Sequence, residues 1–328
     1  MNPFGYVRPA DEAAALDAGA EAGSEFIAGG TGVVDLLRLG VEKPARLVDL
    51  NALGWDKIER TPEGGLYVGA LVKNSDLAWH PDVQRHYPVL SEALLAGASP
   101  QLRNMASVGG NLLQRTRCAY FRDVGVTACN KRTPGSGCAA MGGYVRMHAV
   151  LGGSEHCIAV HPSDMCVALV ALDAVVHVRG PTGARLVPVA DFHLVPGTHP
   201  EVESVLARGD IVVGITLPPS PFARRSAYVK ARDRASYAFA LASAAAALHL
   251  EGTVVRDARV AFGGIATKPW RSKEAEYVMR GEPATRALFE RAAEVALREA
   301  RPHSGNEFKV ALAQRVLVRA LSRAGGIA

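Results

Sequence analysis

The 328-residue sequence has no long apolar run, no block of like charges and no basic–aromatic clusters. Its longest apolar segment, Phe239–Leu250, is too short and too interrupted to span a bilayer, so direct membrane insertion is not expected. The net charge of +5 comes from Lys and Arg residues that are spread along the chain, which argues against a nucleic-acid partner. A mildly basic surface suits an anionic dinucleotide or an acidic partner subunit, and it is equally consistent with solubility alone.

The sequence also lacks a nucleophile–base–acid constellation. Its ten histidines are scattered, and His148, His156 and His161 stand out because they lie near cysteines. No internal repeat or low-complexity linker is present. The hydrophobic content of 48% allows a sizeable core, and the length predicts two or three domains with the best boundary at Pro218–Pro219.

Cysteine is confined to one segment, Gly97–Cys166. Four of the five cysteines lie in a Gly- and Arg-rich stretch without strand patterns: Cys118, Cys129, Cys138 and Cys157. Their spacing lacks the paired C-x-x-C knuckles of zinc ribbons and the compact run of ferredoxins. Wide, uneven spacing favours a loop wrapped round a bulky iron–sulfur cluster; zinc, disulfides and inert thiols are the alternatives. Disulfides would need an oxidising compartment, and no signal peptide is recognisable at the N-terminus.

Cys166 differs from the other four cysteines. It follows Pro162-Ser163-Asp164 and opens an apolar run, so we expect a small buried hydrophobic residue rather than a ligand. Asp164 is a candidate N-cap for a helix over Met165–Leu172.

A glycine-rich turn occurs near the N-terminus. The strand Glu25–Ala28, the turn Gly29-Gly30-Thr31-Gly32 and the helix Val33–Leu39 form the order that presents backbone N–H groups to a pyrophosphate. The order is not G-x-G-x-x-G, which disfavours a Rossmann fold although Asp49 follows nearly twenty residues later. Taken alone, the turn is weak evidence for a phosphate site, and an ordinary tight turn is the favoured interpretation.

Further elements follow from patterning. Asp11 predicts a capped helix, Asn74-Ser75-Asp76 predicts a second one, and Gly180–Gly183 predicts a hairpin turn. The alanines of Phe239–Leu250 have high helical propensity. Two amphipathic helices are predicted over 284–299 and 307–323.

Two motifs carry a family resemblance. Ser107-Val108-Gly109-Gly110-Asn111 and Pro162-Ser163-Asp164 resemble the second flavin-binding segment of the FAD subunits of molybdenum hydroxylases, the xanthine dehydrogenase and CO dehydrogenase family. In most of that family the two motifs are only about ten residues apart. Here some forty extra residues separate them and carry the four cysteines. This insert, with T-R-C-A-Y-F-R-D and C-N-K-R-T-P-G-S-G-C-A-A, resembles the branch whose FAD subunit holds a [4Fe-4S] cluster, as in periplasmic-type bacterial aldehyde oxidoreductases.

The resemblance covers nearly the whole chain and implies an α+β fold. It implies a two-lobed PCMH-type FAD-binding domain over 1–219, with lobes at about 1–54 and 55–219 and the cysteine-bearing insert at about 112–161. A CO-dehydrogenase-flavoprotein-like C-terminal domain would follow over 224–328. In that domain Phe239–Leu250 would be a strand paired with Ala258–Phe262, in a hairpin closed by Gly263–Trp270.

The resemblance also implies the site residues. The two glycine-rich loops would bind FAD phosphates, Asn111 would bond flavin or ribose oxygens unless it merely caps a turn, and Lys230 would lie near the isoalloxazine unless it is a solvated charge. The implied FAD contacts are Ala28, Gly29, Gly30, Thr31, Gly32, Asp35, Ser107, Gly109, Gly110, Asn111, Asp164 and Lys230. The cluster ligands would be Cys118, Cys129, Cys138 and Cys157, with basic neighbours Arg115, Arg117, Lys131 and Arg132 lowering the thiol pKa values.

The implied function is electron transfer. The chain shows no molybdopterin-binding segment and no plant-type [2Fe-2S] cysteine run, so a large molybdenum subunit and a small [2Fe-2S] subunit would hold those centres. FAD would pass electrons to an external acceptor. Another molybdenum hydroxylase, of the xanthine dehydrogenase or hydroxybenzoyl-CoA reductase kind, is an alternative, and so is a zinc-stabilised nucleotide-binding scaffold without redox chemistry. The expected compartment is the cytoplasm, or the periplasm if a signal-bearing partner carries the chain.

Overall fold

The computed structural model describes residues 1–223 and 225–327; Arg224 and Ala328, which belong to the predicted C-terminal domain, lie outside the described residues. The strands are β1 Gly5–Val7, β2 Ser24–Ile27, β3 Arg46–Asp49, β4 Ile58–Arg60, β5 Leu66–Gly69, β6 Val175–Gly180, β7 Gly183–Pro188, β8 Ile211–Leu217, β9 Ser226–Ala231, β10 Ala242–Glu251, β11 Val254–Gly263 and β12 Trp270–Arg271. The helices are α1 Glu12–Ala20, α2 Val33–Arg38, α3 Asn74–Trp79, α4 Pro81–His86, α5 Pro88–Ala96, α6 Pro100–Met105, α7 Val108–Leu112, α8 Ala119–Arg122, α9 Asp164–Ala171, α10 Val189–Phe192, α11 Lys273–Met279, α12 Arg286–Ala296 and α13 Phe308–Gly325. None of the described helices combines the length and the apolarity needed to cross a membrane.

The strands form three sheets. One sheet is parallel, with the order β1-β3-β2, and a second is antiparallel, with the order β4-β5-β8-β6-β7; we call the parts of the chain built on these sheets the first and second lobes. The third sheet, β12-β11-β10-β9, is also antiparallel and packs against α11 and α13 in the C-terminal part, and α12 packs on these two helices. The insert between α7 and α9 contains only α8 and one 3-10 turn, Ala139–Gly142, as its lack of strand patterns predicts.

The alanine-rich strand β10 is buried on both faces. Ala245 belongs to the core that contains α5 and α9, while its neighbours Ala244 and Ala246 belong to the core that contains α12 and α13. Alternate side chains of a strand point to opposite faces, so small residues let both layers approach the sheet closely. This double burial overrides the helical propensity of the alanines, and the strand predicted from the resemblance is confirmed.

Several local predictions need correction. Ser163 caps α9, because its Oγ accepts the N–H of Cys166 at 3.1 Å, whereas Asp164 is the first helical residue. The β10–β11 hairpin is closed at Gly252-Thr253, and residues 264–269 instead connect β11 to β12. Helix α3 has no side-chain cap at its N-terminus. The sequence patterns also did not predict α11, which lies between β12 and α12 in the chain.

The double burial of β10 predicts that Ala245→Leu destabilises the protein. The added methylenes would meet a filled core, at a cost of about 1–3 kcal/mol in the free energy of unfolding. Urea denaturation followed by circular dichroism would measure the change. Ala184→Leu on the exposed face of β7 is the matched control, expected within about 0.5 kcal/mol of the parent. Equal unfolding midpoints for the two variants would contradict the packing described here.

Candidate functional site

One large cleft, of about 450 Å³, is lined by residues of both lobes and of the insert. The glycine-rich turn that follows β2 and the Ser107–Gly110 segment at the start of α7 both line it. Thr267, from the loop after β11, adds a residue of the C-terminal part. Both glycine-rich loops that the sequence analysis identified therefore line the same cleft.

The first loop offers free backbone donors to the cleft. Within the described chain, the amides of Gly29, Gly30, Thr31 and Gly32 make no hydrogen bond to the protein. Gly30 has φ +71°, a left-handed conformation that glycine adopts without strain. Successive N–H groups in such a turn form a concave site for an anionic group.

The two loops also pack directly on each other. A Cβ at Gly29 would overlap the carbonyl oxygen of Met105, which lies just ahead of the second loop. Gly29 is thus required for the contact between the loops, besides any contact with a ligand.

The second loop is organised by Ser107. Its hydroxyl accepts the N–H of Gly110 at 3.2 Å and caps the short helix α7. Gly109 is buried against Ala70 and donates its N–H to the Ala70 carbonyl at 2.8 Å. Gly110 is exposed, and a Cβ there would meet only the Ser107 hydroxyl. This leaves bare backbone facing the cleft.

Asn111 lies next to this loop but outside the lining of the cleft. Its Oδ1 accepts the hydroxyl of Ser163 at 2.8 Å, and the side chain of Gln114 also donates to it. The amide therefore ties the two ends of the insert together. Ala28 and Thr31 line the cleft.

Asp35 lies on α2, and its carboxylate faces the insert. It accepts hydrogen bonds from Arg117, at 3.1 Å, and from Arg122. Burial alone would raise the pKa of Asp35, but these two guanidinium groups outweigh it and lower the pKa. The structure thus places Asp35 in a contact between the first lobe and the insert, outside the lining of the cleft.

Asp164 and Lys230 form a buried ion pair. Lys230 Nζ lies 2.7 Å from Asp164 Oδ2, and the Tyr228 hydroxyl donates to Asp164 Oδ1 at 2.6 Å. The side chain of Lys230 is only 4% exposed, so the alternative of a solvated charge is wrong. Burial, followed by the neighbouring Asp164 carboxylate, holds the pKa of Tyr228 well above its usual value. The Asp164–Lys230 pair joins α9 to β9, and both of its residues lie outside the lining of the large cleft.

The four insert cysteines meet around a second, small cavity. Its lining includes Cys118, Cys129, Cys138 and Cys157, together with His148. Cys129 and Cys138 face each other across an isolated antiparallel β-bridge. Cys118 Sγ lies 3.2 Å from His148 Nε2.

Asn130 explains how distant cysteines come together. Its buried side chain accepts the N–H of Gly137 at 2.8 Å and donates to the carbonyl of His156 at 3.0 Å. The first bond closes the turn between Cys129 and Cys138, and the second attaches that turn to the arm carrying Cys157. A buried amide that is hydrogen-bonded through both its oxygen and its nitrogen fixes the loop geometry, because leaving these atoms unpaired would be costly.

The basic neighbours of the cysteines are engaged in other contacts. Arg132 donates to the carbonyls of Tyr120, Phe121 and Asp123. The expected lowering of the thiol pKa values is not found for Cys118 and Cys157: burial raises the pKa of Cys118 to about 11 and also raises that of Cys157. Burial outweighs the nearby cations here, although Lys131 opposes the shift at Cys157.

A group that the sequence analysis missed lies where the cleft meets α9. The ligand atoms of His161, Cys166 and His193 all lie within 4.8 Å of one another. The Ser163 amide donates to His161 Nδ1 at 3.4 Å, so a neutral His161 ring carries its proton on Nε2. Burial raises the pKa of Cys166 to about 12.

His193 has the complementary tautomer. Its Nε2 donates to the Leu112 carbonyl at 2.9 Å, which leaves Nδ1 as an acceptor, and burial lowers its pKa to about 4. Within the described residues, His161 Nε2 and His193 Nδ1 are buried without a partner. Both rings line the cleft, so they are further candidates for contact with a bound ligand. The sequence singled out His161 by its place near the cysteines, but its pairing with His193, thirty-two positions later, is visible only in the structure.

The insert is tied to three parts of the molecule. Its Arg117 and Arg122 bind Asp35 in the first lobe, and Lys131 binds Glu203 in the second at 2.7 Å. On the C-terminal side, the fully buried Lys309 donates to the carbonyl of His148 at 2.9 Å. The cysteine cavity is therefore held against the rest of the protein by charged contacts.

Comparison with known proteins identifies the family. Residues 2–220 match the model of the FAD binding domain in molybdopterin dehydrogenase, and residues 226–324 match that of the CO dehydrogenase flavoprotein C-terminal domain. The chain is 50% identical over 328 residues to the aldehyde oxidoreductase FAD-binding subunit PaoB of Escherichia coli (strain K12), covering 99% of each protein. It is 25% identical over 317 residues to the carbon monoxide dehydrogenase medium chain of Hydrogenophaga pseudoflava, covering 95% of this chain and 93% of that one.

A solved structure shows the same fold. The match to quinoline 2-oxidoreductase from Pseudomonas putida 86 has a TM-score of 0.77 at 22% identity and covers 99% of this chain and 98% of that chain. The predicted fold, an FAD-binding domain followed by a CO-dehydrogenase-flavoprotein-like domain, is confirmed by these matches. The chain therefore belongs to the FAD-binding subunits of the molybdenum hydroxylases, the oxidoreductase family of xanthine dehydrogenase and CO dehydrogenase.

Proposed function

We propose that this chain is the FAD- and [4Fe-4S]-carrying electron-transfer subunit of a molybdenum-dependent aldehyde oxidoreductase complex. The observation that carries the proposal is the meeting of four insert cysteines around one cavity beside the flavin cleft. The aldehyde substrate class is supported by the 50% identity to a protein named as an aldehyde oxidoreductase subunit. When bound, the two cofactors supply the redox chemistry, while the protein supplies position and electrostatics.

The cleft fits an FAD. The free amides of Gly29–Gly32 suit the pyrophosphate of FAD. The exposed backbone at Gly110 would let the phosphate end of FAD approach the second loop closely as well. His161 Nε2 and His193 Nδ1 add one donor and one acceptor. Asp164 and Lys230 lie outside the lining of the cleft and would support the site indirectly, as a buried pair that holds the C-terminal domain against α9, next to Ser163.

The wide, uneven spacing of the four insert cysteines favours a cluster over a single zinc ion. Four thiolates on one zinc, each about 2.3 Å from the metal, would lie about 3.8 Å from one another. Among the described residues, the group of potential metal ligands whose atoms lie within 4.8 Å of one another is His161, Cys166 and His193, and it contains none of the insert thiols. Four thiols around one cavity suit the corners of a cubane. Cys166 lies outside this cavity and packs in α9.

The chain would work with two partners. We infer a large molybdenum subunit and a small [2Fe-2S] subunit, because those centres have no binding motif here. Electrons would reach the FAD from these subunits and leave to an external acceptor. The complex would reside in the cytoplasm, or in the periplasm if a partner carries the export signal. The competing zinc scaffold predicts a colourless protein, whereas flavin and cluster predict a yellow-brown one.

The flavin loop is tested by Gly110→Val. A branched side chain would fill the space at the cleft where backbone must approach the cofactor, so we expect purified protein without flavin absorbance. Gly5→Val, on the exposed strand β1, is the matched control and should retain a full complement of FAD. Full flavin in the Gly110 variant would show that this loop does not contact the cofactor.

The ligand set is tested by single Cys→Ser variants at all five cysteines, with iron content and EPR as readouts. The variants at 118, 129, 138 and 157 should lose or convert the cluster. Cys166→Ser should keep it and at most lose stability, because that thiol lies in the core. Cys166→Ala provides a second variant if the serine prevents folding. Loss of iron from both Cys166 variants, with iron retained in one of the other four, would overturn the set.

The subunit assignment is tested with the isolated chain. Because it lacks the site of substrate oxidation, the chain alone should not oxidise aldehydes, while its reconstitution with both partner subunits should restore turnover. Steady-state assays with an artificial electron acceptor would measure this. Robust turnover by the isolated, molybdenum-free chain would refute the assignment.

A further inference from the structure

The flavin cleft and the cysteine cavity share a wall. Three residues line both spaces: Lys131, Cys157 and Ala159. The Ala159 amide donates to Cys157 Sγ at 3.4 Å, so one predicted ligand is hydrogen-bonded to backbone that faces the flavin side. Of these three residues, Lys131 is the one with a formal charge.

Lys131 is held firmly in this wall. Its side chain is 9% exposed, and its Nζ donates to Glu203 Oε1 at 2.7 Å and to the Pro200 carbonyl at 2.8 Å. Glu203 also accepts from Arg115, which in turn binds Glu42. All four charged residues line the cleft, and their formal charges sum to zero. Lys131 is the member of this group that also lines the cysteine cavity.

We propose that Lys131 is a positioning residue that places one positive charge between the two redox groups and raises the reduction potentials of both. The inference rests on the proposed function, because it requires FAD in the cleft and a cluster in the cysteine cavity. Lys131 binds neither group covalently. It acts through the field at the shared wall.

The direction of the effect follows from charge. Adding an electron to either group makes that group more negative, and a nearby buried cation stabilises the added charge. The potentials of iron–sulfur clusters respond to net charge and to hydrogen bonds at their sulfurs. Removing Lys131 would also leave Glu203 compensated by Arg115 alone, which adds negative potential on the same side. Both consequences make reduction harder.

A purely structural role must be separated from this one. Lys131 also joins the insert to the segment Pro200–Glu203, and loss of that contact could loosen either cofactor. Lys131→Arg keeps the charge and donors, Lys131→Gln keeps donors without the charge, and Lys131→Met removes both. If the role is electrostatic, the Gln variant should have the same reduction potentials as the Met variant. If the role is structural, the Gln variant should have the same potentials as the Arg variant.

The experiment uses the whole complex with its partner subunits. Redox titrations followed by flavin absorbance and by cluster EPR would give both midpoint potentials, alongside iron and FAD content. We expect Lys131→Met and Lys131→Gln to shift both potentials to more negative values at full cofactor content, and Lys131→Arg to restore them. Lys43→Met makes the same change in net charge at an exposed position outside both cavities and should shift neither.

The outcomes are distinguishable. Full iron and FAD with unshifted potentials in Lys131→Met would overturn the role of Lys131 and leave the proposed function standing. Potentials that move in Lys131→Met but not in Lys131→Gln would also overturn it, in favour of a structural contact. A wild-type complex without iron would overturn the cluster, and the inference with it.

Discussion

The buried carboxylate of Asp164 is the contact on which the arrangement of the domains depends. A charge removed from water must be paired and hydrogen-bonded, and Asp164 meets this need with Tyr228 and Lys230 from β9. Since Asp164 begins α9 and β9 begins the third sheet, this pair sets the C-terminal domain against the flavin-binding domain. Replacing Lys230 or Asp164 alone would leave an uncompensated buried charge.

The two glycine-rich loops depend on close backbone packing that a side chain would prevent. Gly29 permits contact with the backbone at Met105, and Gly109 permits contact with Ala70, so the loops are set by protein packing before any cofactor binds. The donors at Gly29–Gly32 are therefore already positioned. Little of the binding free energy of a ligand is lost to ordering the loops of such a site.

Local sequence patterns predicted the elements that depend on local chemistry. The strand–turn–helix of the first loop, the Asp11 cap and the hairpin at Gly180–Gly183 follow from short-range rules and are present. The strand β10 follows from the family resemblance, because its propensity favours a helix and only burial on two faces explains it. The partners of Asp35 and Lys131, and the meeting of His161 with His193, join distant positions and leave no signal in a single sequence.

The hydrogen bond between Asn111 and Ser163 has a consequence for how such an insert could arise. It holds the two ends of residues 112–162 together. The ends of the insert therefore occupy the same positions in the parent domain whatever the length of the loop between them. The entropy of loop closure grows only logarithmically, and a fivefold longer loop costs about 1.4 kcal/mol more to close. An insertion at this point therefore costs the parent domain little stability, and the small cavity lined by the insert cysteines lies directly beside the existing cleft.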